Sequence, residues 1–172
     1  MKKIIWDSRL FLGLSLLWWV GLGVLVAMYN KADLHLLLNA HHTPLADIFF
    51  KYITEIGGSV PFIVGGILFL FKYSHGVLII ASQLFAGLVV QVLKRIFDVP
   101  RPKLFFAEHF PAVSLPFVEG VNVHSVHSFP SGHTVSIFAL FFCLSLITKQ
   151  RYWQWFYFLV AMLVGFSRIY LS

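Results

Sequence analysis

Residues 76–102 read GVLIIASQLFAGLVVQVLKRIFDVPRP, and this stretch decides the class of fold. Its first 18 residues carry no charge. A helix of about 20 apolar residues crosses the hydrocarbon core of a bilayer. The run ends in Lys94 and Arg95, and the following Pro100 and Pro102 do not continue a helix. The stretch therefore predicts a membrane-spanning helix whose charged end lies at the membrane surface.

Four further segments have the same apolar character, and they cover about residues 10–29, 57–72, 133–148 and 152–171. Hydrophobic residues make up 59% of the 172 residues and charged residues only 12%, and the apolar residues come in blocks. The first block is longer than the core of a secretory signal, so we interpret it as a retained span. The sequence predicts an integral membrane protein, a single all-α domain over residues 1–172 built as a bundle of five transmembrane helices.

Two loops, residues 30–56 and 98–132, are longer than a connection between spans requires. The first loop mixes leucine and isoleucine with histidine, asparagine and acidic residues, which suits helices that lie in the membrane interface. Gly57, Gly58 and Pro61 then predict a turn into the second span. We expect the first loop to form interfacial helices beside a site.

Lys94, Arg101 and Arg168 lie at the ends of predicted spans and suit the binding of a phosphate ester. Guanidinium groups supply paired donors to phosphate oxygens, and an ammonium supplies a point charge. The prolines beside Arg101 predict that the helix ends between Lys94 and Arg101, so that Arg101 folds back from a loop. The alternative for Lys94 and Arg95 is a pair of side chains that extend from a helix end to the membrane surface.

The sequence Pro130-Ser131-Gly132-His133 introduces the fourth span. The N-terminus of a helix presents unpaired N–H groups and a partial positive charge, so it accepts an anion, and Gly132 lets the backbone approach that anion closely. Ser131 either caps the helix in the ordinary way or bonds a phosphate oxygen. His133 is suited to protonating a leaving alkoxide, because imidazole exchanges protons near neutral pH.

These blocks together resemble the type 2 phosphatidic acid phosphatase (PAP2) superfamily of membrane lipid phosphatases, which is related to the vanadium haloperoxidases. The family signature is K-x6-R-P, then P-S-G-H, then S-R-x5-H-x3-D. The first block matches from Lys94 to Pro102 and the second from Pro130 to His133, and Ser167-Arg168 begins the third. The resemblance implies a phosphatase that works through a phosphohistidine.

The resemblance also implies a role for each matching residue. Three cations bind the phosphate, Ser131 and the backbone of Gly132 assist them, and His133 is the general acid; the three cations are Lys94, Arg101 and Arg168. No metal and no other cofactor is implied. The expected partners are a phosphorylated lipid substrate and the membrane, and no nucleic acid.

The third block departs from the family pattern. In the family, a histidine six residues after the arginine of this block is the nucleophile, and an acidic residue four positions further on orients it. The position six residues after Arg168 lies beyond Ser172, and family members usually carry a sixth span. We therefore expect this chain to be C-terminally incomplete, either as a fragment or as a truncated form with little activity.

Basic residues predict the orientation. If the N-terminus is cytoplasmic, seven basic residues lie outside, and five of those lie in or beside the candidate site, which leaves Lys31 and Lys51. Six lie inside: Lys2, Lys3, Arg9, Lys72, Lys149 and Arg151. Cytoplasmic loops are enriched in Lys and Arg, so the site is expected to face the periplasm or the outside of a bacterial inner membrane. The inner interface then holds an aromatic belt of Tyr152, Trp153, Trp155 and Tyr157.

Other functions remain open from the residues alone. The chain could bind lipid phosphate without turnover, or transfer the phosphoryl group to another acceptor. Undecaprenyl diphosphate, phosphatidylglycerol phosphate, phosphatidic acid and lipid A all present a phosphate at the depth of this site. A metal site from the loop histidines His109, His124 and His127 is disfavoured, because the carboxylate or cysteine ligands that usually complete such a site are not paired with them.

Overall fold

The structure, a computed structural model, describes residues 7–40, 42–111, 115, 118 and 128–171. These residues contain helices and connections without a β-strand, as the sequence predicts. In chain order the helices are α1 (Arg9–Met28), α2 (Lys31–Asn39), α3 (Pro44–Glu55), α4 (Val60–Phe71), α5 (Tyr73–Phe97), α6 (Pro102–His109), α7 (Gly132–Thr148) and α8 (Arg151–Tyr170).

The apolar helices make this an integral membrane protein. Two helical stretches within the described residues, Arg9–Met28 and Tyr73–His109, are long and apolar enough to cross a membrane. Helices α3 and α4 meet at an angle of 42° at the break between them. If this bent pair is one span, it is a third candidate membrane span. Helix α7 is apolar but has 17 residues, which is about 26 Å of helix and slightly less than a hydrocarbon core.

The second predicted span is shorter in the structure than in the sequence pattern. Helix α4 begins at Val60 and has 12 residues, whereas the apolar pattern covers 57–72. Gly57 and Gly58 form a turn in which their N–H groups bond to the carbonyls of Thr54 and Glu55. The two glycines followed by Pro61 at the helix start explain the break, because glycine favours turns and proline suits only the first turn of a helix.

The long loop at 98–132 contains a helix that the sequence pattern did not predict. Helix α6 begins at Pro102, in the position where a missing N–H costs nothing. The proline that helps to end α5 therefore also begins α6.

The core of the bundle lies between α5, α7 and α8. Ile79, Ile137, Leu140, Ala161 and Val164 are almost completely buried there. Helices α7 and α8 pack side by side and are joined at Lys149 and Gln150, so they run antiparallel. The N-terminus of α7 and the C-terminus of α8 therefore lie at the same end of the bundle.

One member of the predicted aromatic belt has a different position. Tyr152, Trp153 and Trp155 are exposed at the start of α8, as a belt requires. Tyr157 is only 7% exposed and stacks on Phe141 with a ring separation of 5.0 Å. It belongs to the core because it faces α7.

Candidate active site

The first block of the site is the junction between α5 and α6. Helix α5 ends at Phe97, and Asp98 adopts a left-handed conformation with its N–H bonded to the carbonyl of Lys94 at 3.1 Å. Arg101 lies in the connection immediately before α6. The prediction that the helix ends between Lys94 and Arg101 is confirmed, and Arg101 reaches the site from a loop.

The second block is held against the first by the residues that precede it. The backbone N–H of Ser128 donates to the carbonyl of Val99 at 2.9 Å. The rings of Phe97 and Phe129 meet edge to face at 5.5 Å. These contacts place the start of α7 beside the loop that carries Arg101.

The N-terminus of α7 has the geometry of a capped helix. The Ser131 hydroxyl oxygen accepts a hydrogen bond from the backbone N–H of Thr134 at 3.4 Å. Gly132 and His133 occupy the first turn. Ser131 therefore has the ordinary capping role, and its contact with a phosphate oxygen stays a prediction.

The turn between α3 and α4 packs against His133. A Cβ atom at Gly57 would lie 2.7 Å from the carbonyl oxygen of His133 and 2.8 Å from Cγ1 of Val164. A Cβ atom at Gly58 would lie 3.4 Å from Nε2 of the His133 ring. Glycine at these two positions lets the backbone approach the catalytic candidate closely.

The third block enters the site from the last turn of α8. Arg168 is half-buried, and its Nη1 donates to the hydroxyl oxygen of Thr54 at 3.2 Å. Thr54 is only 3% exposed, at the end of α3. This bond joins residues that are 114 positions apart in the chain.

The charged groups of the three blocks lie close enough to act on one another. The charges of Arg101 and Arg168 act on Lys94, and those of Arg168, Glu55, Arg101 and Lys94 act on the ring of His133. The charges that act on His133 are therefore three cations and one carboxylate, that of Glu55. Like charges in a partly buried region repel one another, so this arrangement favours a bound anion.

A cavity of about 270 Å³ opens beside Lys94 and His133. Lys94, Gly132 and His133 line its charged end. The rest is mainly apolar and lies between α4, α5 and α7, where it is lined by Phe62, Ala86, Gly87, Val90 and Val135. Gln83 and Ser136, which also line it, satisfy each other through a bond of 2.6 Å from the Ser136 hydroxyl to Oε1 of Gln83.

Loop histidines do not form a metal centre within the described part of the chain, where no three His, Cys, Asp or Glu side chains are grouped as metal ligands. His109 lies in α6, where its Nδ1 is 3.1 Å from the carbonyl oxygen of Phe105. His124 and His127 lie outside the described residues.

The fold and the site define a class of protein: a helical integral membrane protein with a cluster of basic side chains at one end of its bundle. Residues 75–172 match the model of the PAP2 superfamily, and the chain belongs to this family. The resemblance seen in the sequence blocks is therefore confirmed.

Two relatives extend this family assignment. The chain is 29% identical over 150 residues to a lipid A 4'-phosphatase of Porphyromonas gingivalis, a match that covers 83% of this chain and 62% of that protein. The chain thus spans less than two thirds of the length of this relative. The crystal structure of LpxE from Aquifex aeolicus is similar with a TM-score of 0.66 and 28% identity, over 81% of this chain and 79% of that one.

The structure brings together all the residues that the sequence blocks single out, and it adds others. Thr54, Glu55, Gly57 and Gly58 were not predicted to contact the site. The adjacent glycines are a visible signal of a turn, but their proximity to His133 depends on how α3 and α4 pack against α7 and α8. No local pattern marks Thr54 as a partner of Arg168.

Proposed function

We propose that this protein is a membrane phosphatase that removes phosphate from a lipid phosphate or lipid diphosphate. The observation that carries this proposal is the grouping of three cations and His133 at one end of the bundle, beside an apolar cavity. The family and the printed names of the two relatives support the same class of reaction.

Each site residue has a chemical role in the proposal. Lys94, Arg101 and Arg168 neutralise the phosphate oxygens and stabilise the charge of the transferring phosphoryl group. The first turn of α7, with Gly132 and the capping Ser131, adds backbone donors on the same side. His133 gives its proton to the lipid oxygen as the bond between that oxygen and phosphorus breaks.

The attacking group in this mechanism is the histidine that the family pattern expects six residues after Arg168, beyond residue 172. A nitrogen–phosphorus bond forms as the phosphorus–oxygen bond to the lipid breaks. Water then attacks phosphorus, which releases inorganic phosphate and restores the histidine. His133 does not take both roles, because one ring cannot attack phosphorus from one side and protonate the group that leaves on the other.

A lipid substrate is favoured over a soluble phosphate ester. The cavity continues from the charged end into an apolar region between α4, α5 and α7, where a hydrocarbon chain is stabilised by burial. We propose that the substrate is a membrane lipid with an exposed phosphate, with lipid A as one member of this class. We propose further that the site faces the periplasm or the outside of a bacterial inner membrane.

Phosphate release from a long-chain lipid phosphate by the full-length protein in detergent tests the proposal. Lys94→Ala is expected to lower kcat/KM by about a hundredfold or more, which is typical of removing one fixed charge that stabilises a transition state. The matched control is Arg95→Ala, because Arg95 is the adjacent, exposed cation of the same helix. Turnover is expected to persist in a chelator of divalent metals, since the three cations supply the positive charge.

Three outcomes contradict the proposed function. The first is equal activity of the Lys94→Ala and Arg95→Ala variants. The second is loss of turnover in chelator that one divalent ion restores. The third is the binding of lipid phosphate without any release of phosphate, which would favour a lipid-binding role instead.

A further inference from the structure

The C-terminal turn of α8 is held by hydrogen bonds from the end of α2, the start of α3 and the connection between them. The Tyr170 hydroxyl donates to Oδ1 of Asp47 at 2.6 Å, and Nδ1 of His42 lies 2.8 Å from the same oxygen. Nε2 of His42 lies 2.7 Å from Oδ1 of Asn39, and Nδ2 of Asn39 donates to the carbonyl of Ile169 at 3.2 Å. We call the four side chains Asn39, His42, Asp47 and Tyr170 the α8 latch.

The latch is packed as well as hydrogen-bonded. Asn39 is 1% exposed and Tyr170 is 3% exposed. The His42 ring stacks on the Tyr170 ring at 4.2 Å, and the Phe50 ring lies 4.5 Å from the Tyr170 ring. Asn39 and Tyr170 are the buried members, and displacement of either leaves its polar group without a partner, which fixes the geometry of the turn.

The partners of Asn39 fix the orientation of its side-chain amide. Asn39 donates through Nδ2 to a carbonyl, so its Oδ1 is the acceptor that faces His42. The carboxylate of Asp47 is also an acceptor. Both ring nitrogens of His42 therefore face an oxygen acceptor, Asp47 on the Nδ1 side and Asn39 on the Nε2 side. His35, whose Nε2 lies 3.3 Å from Nδ2 of Asn39, is the other titratable group of α2 at this point.

The latch acts on the residues that directly follow Arg168. Helix ends fray because their last carbonyls lack partners within the helix, and Asn39 supplies such a partner to Ile169. Helix α3 holds this turn twice, through Asp47 to Tyr170 and through Thr54 to Arg168. Asp47 and Thr54 are seven residues apart, about two turns of helix, so they share one face of α3.

We propose that the α8 latch is a positioning device for Arg168, which sets the guanidinium at the distance that a bound phosphate requires. The inference rests on the proposed function, since it assumes that Arg168 binds phosphate. Asn39 bonds to Ile169, and Asp47 bonds to Tyr170 and His42, so the latch acts on the residues that follow Arg168 and its members are positioning residues rather than catalytic ones.

Calorimetry of orthovanadate binding to the full-length protein in detergent tests the latch, because orthovanadate is a tetrahedral analogue of phosphate. Tyr170→Phe removes one hydroxyl and keeps the ring, and it is expected to weaken vanadate binding by about five- to tenfold, the effect of one lost hydrogen bond. The matched control is Tyr157→Phe, which removes a hydroxyl at the opposite end of the same helix. It is expected to change the affinity by less than about twofold, because it lies outside the latch.

A double-mutant cycle separates positioning from general stability. In the Arg168→Gln background, Tyr170→Phe is expected to have no further effect on vanadate affinity, because the residue through which it acts is gone. Asp47→Asn keeps the shape of the side chain and is expected to follow Tyr170→Phe. It should weaken vanadate binding in the wild-type background and have no further effect in the Arg168→Gln background.

The outcomes distinguish this inference from the proposed function. If Arg168→Gln by itself leaves vanadate binding unchanged, Arg168 does not bind phosphate, and both the proposed site and the latch proposal are contradicted. If Arg168→Gln weakens vanadate binding but Tyr170→Phe does not, the positioning role of the latch is contradicted and the proposed phosphate site is not. An effect of Tyr170→Phe that is equally large in both backgrounds and follows the unfolding temperature also overturns it, because it shows a purely structural role.

Discussion

At the scale of single residues, the site depends on the difference between a guanidinium and an ammonium. Arg101 and Arg168 offer planar pairs of donors, whereas Lys94 offers a single mobile charge. Arg101 reaches the site from the connection that precedes α6, and Arg168 is held by Thr54 at 3.2 Å. In the proposed mechanism the two arginines therefore orient the phosphate, and Lys94 mainly adds charge.

Arg101→Lys is accordingly expected to lower kcat/KM by about ten- to a hundredfold, because an ammonium does not reproduce paired contacts with phosphate oxygens. Phosphate release by the full-length protein measures this effect. Arg95→Lys is the matched control, since it makes the same change at an exposed position nearby. Near-normal turnover of Arg101→Lys would show that Arg101 only extends toward the membrane surface.

At the scale of helices and turns, the connection between α3 and α4 forms one wall of the site. The backbone at Gly57 touches His133 and Val164, so its contact with α7 and α8 leaves no room for a side chain. The break that shortens α4 therefore has a second effect, which is to hold His133, the proposed general acid, in place.

Gly57→Ala is expected to cost about 1–3 kcal/mol of stability, because the new methyl group overlaps a backbone oxygen and a packed methyl group. It is also expected to lower turnover by displacing His133. Gly66→Ala is the control, since a Cβ atom there meets nothing within 4 Å and alanine suits a helix better than glycine. Equal thermal stability of the two variants would contradict this account of the turn.

Gly87→Leu tests the apolar cavity at the same scale. Gly87 lines the cavity, and a Cβ atom there meets nothing within 4 Å, so a leucine can project into the empty space without a clash at its first atom. The KM for a long-chain lipid phosphate is expected to rise, with little change for a short soluble phosphate ester.

The control for the cavity is Gly21→Leu in α1, where a Cβ atom also meets nothing within 4 Å but which does not line the cavity. If Gly87→Leu changes the kinetics of both substrates equally, the cavity does not hold the lipid chain.

At the scale of the whole molecule, the antiparallel packing of α7 and α8 gives the two ends of the bundle different characters. The site end carries His133 and Arg168. The opposite end carries Lys149 and Arg151, together with Asp7, whose carboxylate lies 3.8 Å from the Lys149 ammonium. In the proposed orientation a membrane separates these two ends, and this can be tested directly.

A cysteine at Lys103, which is exposed beside the site, is expected to react with a membrane-impermeant maleimide added to intact cells. A cysteine at Arg151 is expected to react only after the membrane is permeabilised. The native Cys143 is 2% exposed and gives little background. The reverse pattern of labelling would place the site in the cytoplasm and overturn the orientation.

The sequence by itself determined the all-α membrane architecture, the ends of the main helices and the residues of the three blocks. These features are local: an apolar run of sufficient length, a proline after a helix and a serine before one act on their own segment. The end of α5 before Arg101 and the start of α7 at Gly132 follow from such signals.

Only the tertiary structure decided which residues from the first half of the chain complete the site. Thr54 meets Arg168 across 114 positions, and Asp47 meets Tyr170 across 123. Such contacts depend on which faces of α3 and α8 pack together, and hydropathy patterns do not encode that choice between two apolar helices. The break at Gly57 looks like a simple turn in the sequence, and its contact with His133 exists only because α3, α4, α7 and α8 meet at one end of the bundle.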